Sequence, residues 1–548
     1  MTVNPPNDRC FRTSLTDPLR IDEVDVPGYD GRIGLTLCPG KLAPSAHGDP
    51  WARNVALDFE LIRAWGASAV VTLLETDEMS DLSVDGRFEP AARAIGADWY
   101  HLPIRDGGVP SAAFEQRWLW AGLRLRQLLR AGRRVVIHCK GGQGRAGTLA
   151  ARLLAELGVP AADALTRVRA RRDGAIENAR QERHVLDTQP INAAEDAWRS
   201  RVAGCLLGGA LGDALGYRVE FDSVQAILDA HGPAGVSDPR TGDKAVVSDD
   251  TQMTLFTLEG LLRSAGEGQP LRAAMERAYL DWHDTQQAEG AATVALPTRL
   301  RDFTVLHAQR APGTTSLNAL AALAAGRTGK ARNHSKGCGS VMRAAPFGCW
   351  PRETTPAQAF ARAADCAAIT HAHPTALDAA GALAHLVANL VAGHTLTQAL
   401  DALADVLEPG SETARALVLA RELADREGLA ELPLPWRAKL IDRLRVDPSA
   451  TMNSRGWVAE EALAVAVWAS LAGRDATEAL RFAANHAGDS DSTAAVCGNL
   501  VGALGGIEAL DLRDLRALDV LPAVEWLLAK TFAQPRTAAV IEPAAALG

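Results

Sequence analysis

Residues 134–145 read Arg-Val-Val-Ile-His-Cys-Lys-Gly-Gly-Gln-Gly-Arg. The first five residues, which end at His138, are rich in β-branched side chains and are typical of a buried strand. A glycine-rich loop follows, and the spacing of Leu149, Leu153 and Leu157 then predicts a helix. Because strand, loop and helix come in this order, the sequence predicts an α/β unit in this part of the chain.

Cys139 and Arg145 stand at the two ends of the loop. Glycines let several backbone N–H groups point at one anion, and the positive end of the following helix adds to the same field. The planar guanidinium of Arg145 can bind two phosphate oxygens, and the field favours a nucleophilic thiolate at Cys139. The loop therefore predicts a phosphate-ester site whose phosphate-binding residues are Lys140, Gly141, Gly142, Gln143, Gly144 and Arg145.

Cleavage of a phosphate ester also requires a proton for the leaving oxygen. Asp106 follows a strand predicted at residues 99–102, on a loop that runs to Pro110, and it is the candidate general acid. His138 is expected to orient the loop by hydrogen bonding rather than to transfer protons. A cysteine and an arginine at this spacing also fit a buried thiol beside a glycine turn. The strand, the helix and Asp106 together favour the catalytic interpretation.

Residues 28–188 resemble the cysteine-dependent protein phosphatases, specifically the kinase-associated branch of the dual-specificity phosphatases. The resemblance is carried by the Asp106 loop and by Ile33–Gly40, His138–Thr148 and Ala175–Gln181. It implies a phosphocysteine intermediate at Cys139 and a phosphate clamp at Arg145. Many relatives have Ser or Thr directly after the arginine, where it helps the thiolate leave, but this chain has Ala146. The departure predicts slow turnover or compensation by Thr148.

The character of the chain changes from Arg201 onward. Alanine and leucine dominate, helical periodicity recurs, for example over residues 379–392 and 459–472, and strand-like runs almost vanish. We therefore predict an all-α domain at residues 200–533. The remaining segments are predicted to be an N-terminal extension (1–27), a polar linker (189–199) and a tail (534–548).

Two short acidic clusters lie far apart in this helical half. They are Ser248-Asp249-Asp250-Thr251 and Asp489-Ser490-Asp491-Ser492. Oxygen-only ligands of this kind suit Mg²⁺ or Mn²⁺, and two clusters at helix ends can hold two ions against one substrate. Ser, Asp and Thr before an apolar run also cap helices, so either cluster alone fits a structural N-cap.

Three further groups of residues, which occur in a fixed order with the clusters, favour the metal interpretation. The five motifs are Gly204–Phe221, Ser248–Thr251, Gly337–Arg343, Thr370–Pro374 and Gly488–Thr493. Together they resemble the ADP-ribosylglycohydrolase family, which includes the enzyme that reactivates ADP-ribosylated dinitrogenase reductase. The resemblance covers residues 198–533.

This resemblance implies an all-α fold with a binuclear magnesium or manganese centre. The implied metal ligands are Ser248, Asp249, Asp250, Asp489, Asp491 and Ser492. Glu220 matches a mobile glutamate that gates the cleft or handles water, and ADP-ribose contacts are implied at Gly337, Gly339, Ser340 and His371. Cys338 is expected to be a small apolar packing residue. Serine rather than threonine at positions 248 and 492 resembles the arginine-specific branch.

Bulk properties restrict the class of protein. The net charge of −9 argues against general binding to nucleic acid without excluding a locally held anion. The first 20 residues have no apolar core of a signal peptide, and no uninterrupted apolar run reaches the length of a membrane helix. Eight scattered cysteines favour a reducing compartment, so we expect a cytoplasmic protein without membrane partners.

The two sets of motifs predict a bifunctional hydrolase. Its C-terminal domain is expected to remove ADP-ribose from a modified protein side chain, arginine above all, or from an ADP-ribosyl small molecule. Its N-terminal domain is expected to hydrolyse a phosphomonoester. Two alternatives stay open: the N-terminal domain binds phosphate with slow or no turnover, or both domains process one phosphorylated ADP-ribosyl metabolite or nucleic-acid end.

Overall fold

The computed structural model describes residues 11–44, 49–287, 297–426, 431–444 and 455–533. The chain divides into two compact units, Met1–Asp196 and Ala197–Gly548. A helix begins at Ala193, so the segment predicted as a linker, residues 189–199, includes helical residues. Cys10 and the predicted tail, 534–548, lie outside the described residues.

The first unit is an α/β structure, as predicted. Its strands are β1 Asp22–Asp25, β2 Arg32–Thr36, β3 Leu42–Ala43, β4 Trp51–Ala52, β5 Ala67–Thr72, β6 Asp98–His101 and β7 Arg134–His138. Its helices are α1 Val55–Trp65, α2 Thr76–Asp81, α3 Phe88–Ala94, α4 Ala112–Arg130, α5 Gly144–Glu156, α6 Ala161–Arg171 and α7 Ala179–Leu186.

Five strands form one sheet in the order β1-β2-β7-β5-β6. Strands β2, β7, β5 and β6 are parallel, and β1 pairs antiparallel with β2 at the edge. The strand predicted at 134–138 is β7, which is central and whose Val135, Val136 and Ile137 are fully buried. The sequence predicts an N-terminal extension at residues 1–27, but the structure places residues 22–25 of it in the sheet. Their acidic sequence has no strand pattern, and pairing with β2 forms the strand.

The second unit is almost entirely helical, as predicted. Its helices are α8 Ala193–Gly216, α9 Val224–His231, α10 Asp249–Glu267, α11 Leu271–Thr285, α12 Thr314–Ala324, α13 Pro346–Cys349, α14 Pro356–Ala367, α15 Pro374–Ala392, α16 Leu396–Ala404, α17 Glu412–Ala424, α18 Leu434–Ile441, α19 Ala459–Ala472, α20 Ala476–Ala484, α21 Ser490–Gly505, α22 Leu512–Ala517 and α23 Leu521–Ala533.

Short elements complete this unit. The strands β8 Arg240–Thr241 and β9 Lys244–Ala245 form a small hairpin. Single 3₁₀ turns occur at Leu300–Asp302, Thr304–Leu306, Cys338–Ser340, Asp442–Leu444 and Ile507–Ala509. Helix α15 is long and apolar enough to cross a membrane by length and composition, but 83% of its most apolar window is buried inside the unit. It is therefore packed as a core helix.

A row of glycines brings α8 against α21. Gly204, Gly208, Gly212 and Gly216 are spaced by four residues and so lie on one helix face. A Cβ atom at any of them would collide with a backbone carbonyl of α21, at Gly502, Gly498, Ala494 and Ser490 respectively. The two backbones thus approach to a distance that only glycine on α8 permits.

Adding one methyl group to this contact should therefore destabilise the second unit. We expect Gly212→Ala to lower the free energy of opening of α21 by about 1–3 kcal/mol, the usual cost of overpacking a well-filled interior. The measurement is hydrogen–deuterium exchange of the α21 amides in the full-length protein.

Gly266→Ala provides the matched control, because Gly266 lies in α10 with open space where its Cβ would be. This substitution should be neutral or stabilising by up to about 1 kcal/mol. Equal exchange rates of α21 in the two variants would contradict the close packing of α8 and α21.

Two candidate active sites

The loop after β7 surrounds the sulfur of Cys139. This side chain is buried, and its Sγ accepts a hydrogen bond from the Gly142 N–H at 3.2 Å. Gly142 has a φ of +73°, and a Cβ there would collide with the Thr36 carbonyl of β2, so only glycine fits. Within the described residues, the N–H groups of Gly141, Gln143 and Gly144 make no hydrogen bond to the protein. They remain available to an anion at the loop.

Arg145, at the start of α5, is held by a residue that the sequence did not indicate. Glu78 of α2 accepts two hydrogen bonds from its guanidinium, at 2.6 and 2.9 Å. Burial raises the pKa of Glu78, but the hydrogen bonds from Arg145, a backbone hydrogen bond at Glu75 and the charges of Arg145 and Lys140 together hold that pKa below its usual value. The Nε of Arg145 is buried without a partner in the described part of the chain. Glu78 thus fixes one edge of the guanidinium and leaves Nε unused.

Asp106 lies beside the same guanidinium. One of its carboxylate oxygens is 3.0 Å from Nη2 of Arg145, and its side chain is 69% exposed. The Asp106 loop is held by hydrogen bonds from Gln181 of α7 and from Asn178, which precedes α7. Asn178 donates to the Gly107 carbonyl at 3.1 Å, and Gln181 donates to the Gly108 carbonyl at 3.2 Å. An exposed carboxyl group is therefore placed at the mouth of the cysteine loop.

Two neighbouring side chains are engaged within the protein. Nε2 of His138 is 2.8 Å from the Thr72 hydroxyl, and burial lowers the pKa of His138 to about 3. The ring is therefore neutral at physiological pH, in line with an orienting role. The Thr148 hydroxyl donates to the Gly144 carbonyl one turn earlier in α5, at 2.7 Å. Ala146 is fully buried.

In the second unit, Asp213 of α8 organises the first acidic cluster. Its carboxylate accepts hydrogen bonds from the Ser248 N–H at 2.9 Å and from the Thr251 N–H at 3.0 Å. Ser248 caps α10 by accepting the Asp250 N–H at 3.2 Å. The cluster is thus an N-cap and is also tied to α8. Asp213 was not among the predicted site residues, although it lies inside the glycine motif of residues 204–216.

The second cluster begins α21. One oxygen of Asp491 accepts the Ser492 N–H at 2.9 Å. The thiol of Cys338 donates to the Asp489 Oδ2 at 2.7 Å. The expectation that Cys338 is only apolar packing is therefore wrong, because its sulfur touches a predicted metal ligand.

The acidic groups converge with Glu220, which lies in the turn after α8. Carboxylate oxygens of Glu220, Asp489 and Asp491 all lie within 4.8 Å of one another, and all three residues are buried. Burial, followed by the charge of Asp491, raises the pKa of Asp249 and Asp250 well above the usual value. The same two causes raise the pKa of Glu220 to about 9.

These charges lack a protein counter-ion. In the described ranges, none of Glu220, Asp249, Asp250, Asp489 and Asp491 forms an ion pair with Lys or Arg. Asp250 Oδ2 and Glu220 Oε2 are buried without any hydrogen-bond partner among the described residues. Buried carboxylates are costly unless a cation or a proton neutralises them. The oxygen donors therefore fit a site for hard divalent cations.

The predicted ADP-ribose contacts form a glycine turn against a histidine ring. A Cβ on Gly339 would lie 3.1 Å from Cε1 of His371, and a Cβ on Gly337 would lie 3.6 Å from its Nε2. His371 bonds to the Thr370 hydroxyl at 2.8 Å, and burial, with Arg343 nearby, lowers its pKa to about 3. The Ser340 hydroxyl donates to the Ala376 carbonyl at 3.0 Å. The groups available to a ligand at this turn are therefore backbone atoms and the uncharged ring of His371.

An aromatic pair lies next to the acidic residues. Phe221 follows Glu220 directly, is 76% exposed and stacks on Trp457 with ring centroids 6.0 Å apart and planes 24° apart. The Trp457 carbonyl accepts the Cys338 N–H at 3.2 Å. Phe221 is therefore joined to Glu220 along the chain, and Trp457 is joined to the Cys338 turn by this hydrogen bond.

Comparisons with known proteins assign both parts of the chain. The sequence profile of the ADP-ribosylglycohydrolase family matches residues 194–540, and a "Swiss Army Knife protein, DSP-PTPase phosphatase domain" profile matches residues 58–185. An uncharacterized protein of Archaeoglobus fulgidus is 27% identical over 310 residues, which are 55% of this chain and 86% of that protein. Protein tyrosine phosphatase type IVA 3 is 32% identical in Mus musculus and 30% in Homo sapiens, over 131 residues, 24% of this chain and 69% of each relative.

Solved structures are similar to each part. An ADP-ribosylglycohydrolase-related protein complex is 25% identical and covers 61% of this chain and 98% of that one, with a TM-score of 0.43. A kinase-associated phosphatase with its catalytic cysteine replaced by serine is 26% identical and covers 30% and 92%, with a TM-score of 0.27. Because the first profile spans more than half of the residues, the chain belongs to the ADP-ribosylglycohydrolase family, and its N-terminal region is a phosphatase domain of the dual-specificity type.

Proposed function

We propose that the protein is a bifunctional hydrolase, with one activity in each unit. The C-terminal activity is metal-dependent removal of ADP-ribose from a modified side chain, and the N-terminal activity is cysteine-dependent hydrolysis of a phosphomonoester. The observation that carries the first activity is the convergence of the buried carboxylates of Glu220, Asp489 and Asp491, which have no Lys or Arg counter-ion among the described residues. The N-terminal assignment is supported by the loop from Cys139 to Arg145 and by Asp106 of a second loop, whose carboxylate lies 3.0 Å from Arg145.

In the C-terminal site, the residues that would hold Mg²⁺ or Mn²⁺ are Ser248, Asp249, Asp250, Asp489, Asp491 and Ser492. Bound there, the ions would supply Lewis-acid polarisation of ribose hydroxyls and of a water. One oxygen of Glu220 is buried without a hydrogen-bond partner in the described part of the chain, and its carboxylate lies within 4.8 Å of those of Asp489 and Asp491. The positive charge of bound ions would lower the raised pKa of Glu220, and its carboxylate would then accept a proton from the attacking water and return one to the leaving atom as the bond at the anomeric carbon breaks.

The surroundings of the site favour an arginine-linked substrate. The faces of Phe221, which follows Glu220 directly, and of Trp457 offer a stacking surface for a planar guanidinium. Serine rather than threonine at positions 248 and 492 is a second, independent reason to propose an arginine-linked substrate, because it resembles the arginine-specific branch. Serine-linked ADP-ribose has neither charge nor plane at this position.

In the N-terminal site, the free N–H groups of the loop and Nε of Arg145 would hold three phosphate oxygens. Sγ of Cys139 would attack phosphorus and form a phosphocysteine, while Asp106 gives its proton to the leaving oxygen. Water would then hydrolyse the thiophosphate bond. His138, which is neutral and bonded to Thr72, would keep the loop in place.

Removal of the metal should abolish the C-terminal activity. We expect a chelator to stop release of ADP-ribose from ADP-ribosyl-arginine, and added Mg²⁺ to restore it, measured by chromatography.

Asp489→Asn should reduce release at least about 100-fold, because even residues that only support metal ligands cost 10–100-fold. Asp229→Asn, an exposed carboxyl in α9, is the matched control and should leave release unchanged. Chelator-resistant release would contradict the proposal. Faster release from serine- or nucleic-acid-linked substrates would contradict only the arginine preference.

Cys139→Ser should abolish hydrolysis of an aryl phosphate and leave ADP-ribose release intact, because the nucleophile belongs only to the N-terminal site. Rapid-mixing kinetics on the unaltered protein then test the open alternative. A burst of one phenolate per protein followed by a slow phase indicates slow turnover, and no phenolate at all would show a phosphate-binding module. Loss of both activities in Cys139→Ser would contradict two independent sites.

Glu78→Gln should weaken the phosphate clamp. Hydrogen bonds to charged groups contribute about 1.5–3 kcal/mol, so kcat/KM for an aryl phosphate should fall about 10–100-fold. Asp77→Asn changes the neighbouring exposed carboxyl and is the control. Identical kinetics in the two variants would show that Glu78 does not position Arg145.

A further inference from the structure

Arg343 is a fully buried cation without a carboxylate partner. It follows the 3₁₀ turn Cys338–Ser340, and within the described ranges it forms no ion pair with Asp or Glu. Its guanidinium donates instead to the Tyr279 hydroxyl at 3.1 Å and lies over the same ring, 4.6 Å from the ring centroid. Two further hydrogen bonds reach the two segments at which contacts with ADP-ribose are implied.

One of these bonds holds the glycine turn, and the other holds the residue before His371. Nη1 of Arg343 donates to the Gly339 carbonyl at 2.6 Å, and Nη2 donates to the Thr370 hydroxyl at 2.5 Å. Because both bonds come from one planar group, the guanidinium fixes the glycine turn and the histidine segment relative to each other. A single side chain thus orients both parts of the implied ADP-ribose site.

The bond to Thr370 bears on which nitrogen of His371 carries the proton. A guanidinium can only donate, so the Thr370 hydroxyl is the acceptor in this bond, and its single proton is left for another group. The hydroxyl oxygen lies 2.8 Å from Nδ1 of His371 and 3.5 Å from the Ala367 carbonyl oxygen, and the shorter contact is the stronger one. Donation to Nδ1 makes this nitrogen an acceptor, which leaves the proton of a neutral ring on Nε2.

Nε2 of His371 is the ring nitrogen that faces the glycine turn. It makes no hydrogen bond within the described residues, and it lies 3.6 Å from the position of a Cβ on Gly337 and 3.4 Å from that of a Cβ on Gly339. We propose that Arg343 is a positioning residue which, through Thr370, keeps the proton of His371 on Nε2, so that this N–H donates to an oxygen of the ADP-ribosyl group. The inference rests on the glycohydrolase activity of the proposed function.

The test determines the tautomer of His371 in the full-length protein without any substrate. Nitrogen-15 NMR of histidine-labelled protein distinguishes protonated from unprotonated ring nitrogens, and the signals that disappear in His371→Gln belong to this residue. We expect a protonated Nε2 and an unprotonated Nδ1. In Arg343→Met the Thr370 hydroxyl is free to accept a proton from Nδ1, so both tautomers should appear. Calorimetry in Mg²⁺ should show ADP-ribose binding at least about 10-fold weaker in this variant.

Two comparisons separate this role from a general loosening of the fold. Arg437→Met removes another buried arginine, which lies in α18 over the Phe482 ring at 4.7 Å from its centroid, and it should change neither the tautomer nor the affinity for ADP-ribose. Thr370→Val removes the hydroxyl and should weaken ADP-ribose binding as Arg343→Met does. Thr370→Ser keeps the hydroxyl and should bind ADP-ribose as tightly as the unaltered protein.

A proton on Nδ1 in the unaltered protein, or an unchanged tautomer in Arg343→Met, would overturn the inference. If Arg343→Met does not fold, the two Thr370 variants decide: weaker ADP-ribose binding by Thr370→Val alone supports the inference, and equal affinities overturn it. The expected tautomers in a protein that releases ADP-ribose from no substrate would contradict only the glycohydrolase activity. Chelator-sensitive release with an unchanged tautomer in Arg343→Met would contradict only the role of Arg343.

Discussion

The close contact between the backbones of α8 and α21 is the constraint on which the glycohydrolase site depends. Four glycines of α8 have no Cβ at the contact, so carbonyl groups of α21 pack directly against the backbone of α8. This crossing brings Asp213, between Gly212 and Gly216, to the start of α21. Asp213 in turn holds the Ser248–Thr251 turn of α10 through backbone hydrogen bonds. One helix contact thus aligns both acidic clusters, although about 240 residues separate them in sequence.

Each site contains groups whose charge is opposite in sign to that of the ligand that we propose for it. In the C-terminal unit, Asp249, Asp250 and Asp489 are buried without a Lys or Arg partner among the described residues, and desolvation raises their pKa values. In the N-terminal unit, Arg145 is fixed by Glu78, but Nε and the loop N–H groups have no acceptor in the described structure. Such arrangements are costly for an isolated domain and become favourable when a cation or an anion binds. The unpaired charge is therefore evidence of binding rather than of stability.

Local pattern predicted the elements of this fold well. The strand at 134–138 and the helices at 379–392 and 459–472 have the expected ends or lie inside the observed helices, because buried strands and apolar helices show their periodicity within a few residues. Strand β1 was missed, since its acidic sequence has no such pattern and only pairing with β2 makes it a strand. The motifs also placed Cys139, Arg145 and the acidic clusters at loop and helix starts.

What sequence alone could not provide were contacts across long stretches of chain. Glu78 is 67 residues from Arg145, and nothing in its short helix distinguishes it from the adjacent exposed Asp77. Cys338 looked like packing because a cysteine between glycines is typical of a small buried residue, and its contact with Asp489 spans 151 residues. Asp213 lies inside the glycine motif, but its role depends on the turn at the start of α10, whose backbone N–H groups donate to the Asp213 carboxylate. These residues support the predicted ones, and only the fold reveals them.

The structure also bears on whether Thr148 can compensate for the absence of a serine or threonine at position 146. A serine or threonine hydroxyl at this position would donate its single proton to the departing thiolate, and Thr148 was the residue available to replace it. The Thr148 hydroxyl donates that proton to the Gly144 carbonyl inside α5, and a hydroxyl has only one to give. Ala146 is itself buried and brings no polar group. The contacts of Thr148 therefore favour slow turnover over compensation by Thr148, if the loop forms the phosphocysteine that we propose.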